Sequence, residues 1–103
     1  HLHELPFGYS YCRLIQNEAE FPIDYEFIYV NQKYAEIIGK KVEEIDGERA
    51  KYIFGAENVK KEQLNLLKRI TENKNGSIVE EYAEIRGKWY KIYVFSEKKN
   101  LFL

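Results

Sequence analysis

Apolar and polar positions change period several times along the chain, and those changes mark out its elements. Tyr9 to Ile15 is dense in aromatic and branched residues and predicts a strand. Asp24 to Val30 predicts a second, and the short polar stretch from Gln16 to Pro22 makes the two an antiparallel hairpin. At Asn31 the period lengthens. The Asn31 side chain can cap a helix, Tyr34, Ile37 and Ile38 follow at helical spacing, and Gly39 ends it in the left-handed conformation. Lys40 to Gly47 repeats the pattern as a second small helical turn. Residues 48–58 carry no clear period, and Tyr52, Ile53 and Phe54 are expected to anchor that stretch in the core.

Lys60 to Asn73 is the clearest helix, with Leu64, Leu67 and Ile70 on one face and charged residues over the rest. Asn75-Gly76 supplies turn chemistry after it. Ser77 to Arg86 and Trp89 to Phe95 then read as two strands about a tight turn at Gly87-Lys88, and Leu101 opens a further apolar run. Strands therefore flank a helical middle. The order predicts an α+β fold, an antiparallel sheet with helices on one face.

Strand alternation sorts these residues into two faces. Ile28 and Val30 on the second strand, and Tyr90, Ile92 and Val94 on the fourth, suit the side under the helices. With Tyr34, Ile38, Ile53, Phe54 and Leu67 they form a candidate ligand pocket or an ordinary filled core. Tyr25, Phe27, Tyr29, Trp89, Tyr93 and Phe95 would share the outer face. An open sheet face normally turns polar, so an aromatic one is a candidate interface.

Composition narrows the function classes. The chain has 103 residues, one domain's worth, and residues 6–103 are read as that domain after a disordered or vector-derived terminus at residues 1–5. Lysine and arginine number 16 against 17 acids, a formal net charge of −1, which gives no footprint for nucleic acid. Aromatics are 16% of the chain, which adds weight to an aromatic surface as well as an aromatic core. No apolar run approaches the roughly 20 residues of a membrane span. The single cysteine, Cys12, excludes an internal disulfide and reads as a small buried strand residue. No phosphate loop, nucleophile elbow or histidine base is present outside His1 and His3, so no enzyme and no metal site is expected. The adjacent acids Glu43/Glu44 and Glu80/Glu81 point to different faces and read as solvated surface.

The run Val30-Asn31-Gln32-Lys33-Tyr34-Ala35-Glu36-Ile37-Ile38-Gly39, followed by Glu44-Ile45-Asp46-Gly47 and later by Gly87-Lys88-Trp89-Tyr90, resembles bacterial PAS sensor domains, in order and spacing, over about residues 6–103. The resemblance implies a five-stranded antiparallel sheet with helices packed on one face, here with its last strand truncated after three residues. It implies a cytoplasmic sensory module, in a soluble or membrane-anchored parent protein, that relays a signal to an output domain elsewhere in that chain, such as a histidine kinase or a cyclic-dinucleotide enzyme. Two of the family's cofactor types are not expected. The family's flavin-adduct cysteine lies on a central helix, unlike Cys12 on the first strand, and the predicted long helix has no histidine for haem. The leading expectation is non-covalent binding of a small organic molecule. The alternative is a ligand-free dimerisation or docking module, a homodimer through the outer sheet face.

Overall fold

The computed structural model describes residues 7–72, 79–94, 96 and 101–102. Strands β1 (Ser10–Gln16) and β2 (Pro22–Val30) form the expected antiparallel hairpin. Four helices follow: α1 (Gln32–Ile38), α2 (Val42–Ile45), α3 (Ala50–Phe54) and α4 (Lys61–Glu72), with a 3-10 turn at Ala56–Asn58 between the last two. Strands β3 (Val79–Ile85), β4 (Lys88–Val94) and β5 (Leu101–Phe102) complete the order. The α+β class is as the pattern predicts.

The single five-stranded sheet is not. Among the described residues there is a three-stranded sheet in the order β2-β1-β5 and a separate two-stranded sheet of β3 and β4. The last strand is two residues long and pairs with β1 at Cys12 and Arg13. A two-residue turn, Arg86-Gly87, joins β3 to β4 with both residues at positive φ (53° and 81°). That conformation matches the twist of paired strands, so β3 and β4 close on each other over the full length from Val79↔Val94 to Ile85↔Lys88. The turn lies one residue earlier than its predicted place at Gly87-Lys88.

The core lies on one face of the β1–β2 hairpin. Cys12 and Leu14 from β1, and Tyr25, Phe27 and Val30 from β2, pack with Ala35, Ile45, Ala50, Val59, Leu64 and Leu67 from the helical side. Phe27 is fully buried and meets three rings, Tyr25, Tyr34 and Phe54, at centroid distances of 5.6, 5.7 and 6.0 Å. Asp24, also buried, accepts hydrogen bonds from Tyr25 N and, across the fold, from Lys51 N at 3.1 Å. The latter satisfies an early amide of α3, whose own N-cap residue Arg49 offers no side-chain bond. This long-range cap explains why α3 had no local start in the sequence. Tyr52, expected in the core with Ile53 and Phe54, is instead 77% exposed, because α3 presents only its Ile53–Phe54 side to the core cluster.

The sequence alternation in β2 is broken by two bulges. Cys12 faces Phe27 and Tyr11 faces Tyr29, so Ile28 is an extra residue; Ile15 faces Asp24 and Gln16 faces Pro22, so Ile23 is another. Each extra residue shifts the side-chain period by one. Phe27 and Val30 thereby share the core face, while Ile23 and Ile28 turn outward.

Candidate functional site

The β3–β4 hairpin keeps the alternation its sequence predicts. Ala83, Ile85, Tyr90, Ile92 and Val94 are half-buried on one side, and Val94 packs against the core. On the other side Trp89 is 71% exposed, Tyr82 61% and Tyr93 54%. Register places that outer side in three rows: Glu80 opposite Tyr93, Tyr82 opposite Lys91, and Glu84 opposite Trp89. Three large aromatic side chains thus stand in water on one face.

Short-range electrostatics organise the middle of this face. Tyr82 donates its hydroxyl to Glu80 Oε1 at 3.1 Å, Lys91 Nζ lies 3.8 Å from the same oxygen, and the ammonium sits 5.8 Å from the Tyr82 ring centroid. Glu80 first, and Tyr93 after it, hold the Lys91 ammonium above its usual range. Exposed pairs of this kind contribute little to stability. Their effect is to orient the side chains.

The structure redistributes the sequence-predicted interface. Trp89 and Tyr93 are exposed on the outer face as expected. Tyr25 and Phe27 are core residues, and Tyr29 is half-buried beside Tyr9 with ring centroids 6.0 Å apart. The cause is the bulge at Ile28, which puts Tyr25 and Phe27 in phase with the buried Val30. Phe95 lies outside the described residues, as do His1, His3 and the Asn75-Gly76 turn. Tyr82 stands exposed on the same face and was absent from the predicted set. Its signal was present in the alternation of Glu80, Tyr82 and Glu84 against Ala83 and Ile85, which only Glu81 interrupts.

The predicted pocket residues do not gather around one space. Val30 and Leu67 are buried in the core cluster, with Tyr34, Ile38, Ile53, Phe54 and Val94 packed around it. Ile28 is 38% exposed on the opposite side, displaced there by its own bulge. Tyr90 and Ile92 are half-buried on the second hairpin. A surface depression of about 480 Å³ opens between α2 and α3, lined by Lys40, Glu43, Glu44, Glu48, Tyr52 and Ile53. It shares only Ile53 with the predicted set, and its rim is charged rather than apolar.

Among buried ionisable groups, burial pushes the Cys12 thiol up to about 12, with Ser10 Oγ 3.7 Å away opposing in part. Burial likewise raises Tyr25 and Tyr34 well above their usual range, and neighbouring ionisable groups add to it. A thiol held protonated is a poor nucleophile and a poor metal ligand. Among the described residues no group of histidine, cysteine and acidic side chains is placed to hold a metal ion. No described helix is long and apolar enough to cross a membrane.

No protein-family model, curated protein or solved structure matches this chain.

Proposed function

We propose that this chain is a non-catalytic regulatory module that acts by docking a second copy of itself on the outer face of the β3–β4 hairpin. The observation that carries the reading is the exposure of Tyr82, Trp89 and Tyr93 on one face. Aromatic side chains of this kind are the usual anchors of protein interfaces.

Charge favours a second copy as the occupant. On this face β3 offers Glu80, Tyr82 and Glu84, and β4 offers Trp89, Lys91 and Tyr93. A two-fold axis running along the strands, between two facing hairpins, lays β3 of one copy over β4 of the other. Lys91 then meets the partner copy's Tyr82 ring between two carboxylates, and each of those carboxylates faces an aromatic edge. The patch is self-complementary, as an isologous interface requires. In a longer parent chain, such pairing would bring two output domains together in the cytoplasm.

Sedimentation velocity over a range of concentrations tests the proposal. The domain is expected to run as a dimer, and Trp89→Ser with Tyr93→Ser as a folded monomer, because both side chains are exposed and contribute little to the core. A monomer at every concentration, or a dimer that survives both substitutions, would overturn it. Native mass spectrometry on the same sample reads the rival small-molecule function, for which a bound mass lost on denaturation is the expected signature.

A further inference from the structure

Helix α1 is held at both ends by parts of the chain remote from it in sequence. At its start, Asn31 is fully buried, and its hydrogen bonds reach beyond the helix ladder to the segment that precedes β1. Its Oδ1 accepts from Tyr34 N and from Tyr9 N, both at 2.9 Å; its Nδ2 donates to Phe7 O at 2.9 Å; its backbone N donates to Tyr9 O at 3.0 Å. One amide therefore caps α1 and ties down the segment that leads into β1. Gly8 lies flat against the helix between these anchors. A Cβ there would stand 3.2 Å from Tyr34 Cα and 3.1 Å from Ile37 Cδ1.

The other end of α1 meets the turn of the second hairpin. Gly39 ends the helix at φ 84°, and a Cβ on it would lie 2.6 Å from Arg86 Nη1 and 2.7 Å from Arg86 Cζ. The guanidinium thus covers the helix C-terminus, where a cation is favoured by the exposed carbonyls of the last turn. Arg86 is itself the first residue of the Arg86-Gly87 turn, at positive φ.

We propose that α1 is a rigid link between the incoming segment Phe7–Tyr9 and the β3–β4 hairpin, so that release of that segment loosens the hairpin turn. A helix of two turns transmits a displacement at its cap to its far end because its backbone ladder moves as a unit; hydrogen bonds from Asn31 anchor one end, and the Arg86 guanidinium lies against Gly39 at the other. The consequence for self-association rests on the docking role proposed above; the link itself does not. Whatever element precedes Phe7 in a parent chain would act on the docking face through this route.

Hydrogen exchange of individual amides tests the link, carried out in the Trp89→Ser, Tyr93→Ser background so that association plays no part. Asn31→Ser keeps an oxygen for Tyr34 N but removes the donor to Phe7 O. It is expected to raise exchange at least threefold at Tyr9 and at the hairpin amides Ile85 to Tyr90, with Leu14 and Phe27 unchanged. With Arg86→Ala added, the rise should remain at Tyr9 and vanish at the hairpin. A hairpin that ignores Asn31→Ser, or responds equally with and without Arg86, overturns the link. Should Asn31→Ser also raise exchange at Leu14 and Phe27, Gly8→Ala replaces it. Its methyl wedges the segment off α1 while leaving the cap intact, and the same two results decide.

Discussion

At the residue scale, two buried positions carry more than their size suggests. Asn31 satisfies donors and acceptors from three parts of the backbone through one side chain. Asn31→Ala leaves the amides of Tyr9 and Tyr34 without that acceptor and removes a helix cap. The expected loss is roughly 2–4 kcal/mol in urea or thermal unfolding. A loss under about 0.5 kcal/mol would mean that water replaces the amide at little cost. Cys12 makes a different prediction. Its thiol keeps its proton up to about 12 in the fold, against an ordinary 9.0, and Tyr25 and Tyr34 are raised in the same direction from 10.0. The folded state therefore holds protons that the unfolded chain releases. Stability from these groups is fully present below pH 9 and falls as pH rises through 9 and 10 toward the folded values. Each group contributes a slope of about 1.4 kcal/mol per pH unit once its unfolded pKa is passed. Urea midpoints measured from pH 7 to 11 should fall steeply above pH 9, and Cys12→Ala should delay the onset to about pH 10, where the tyrosines begin.

At the element scale, β2 shows how a strand can contradict its own alternation. By period alone Ile28 is an inward residue and Phe27 an outward one. Register with β1 reverses both, since the extra residue at Ile28 advances the pattern by one and puts Phe27 on the same face as Val30. The reversal is measurable. Phe27→Ala is expected to cost about 3–5 kcal/mol, as for other fully buried aromatics. Ile28→Lys should stay within about 0.5 kcal/mol, as for exposed positions generally. Equal costs at the two sites would restore the simple alternation. The second hairpin has no bulge across Val79–Val94. Its outer face was accordingly legible from sequence at Trp89 and Tyr93, and would have been complete had the same alternation been applied to Tyr82.

At the scale of the whole molecule, the helices and the β1–β2 hairpin share one core, while the β3–β4 hairpin offers its aromatic side to solvent. If that side pairs with a second copy, association adds to stability by mass action. The midpoint of thermal unfolding should then rise with protein concentration, and the rise should disappear in Trp89→Ser with Tyr93→Ser. A concentration-independent midpoint in the parent domain would argue for a monomer with some other use for this face.

The sequence by itself determined the α+β order of elements, the Asn31 cap and Gly39 stop of α1, the buried face of α4 and the two sides of β4. These depend on local period and on side chains acting within a few residues of themselves. The tertiary structure alone decided the rest. The bulges of β2 arise from pairing with β1, the start of α3 from an acceptor on β2, and the grouping of strands into two sheets from where β5 finds its partner. In each case the deciding hydrogen bonds join residues distant in the chain, and a period read along one strand or helix carries no record of them.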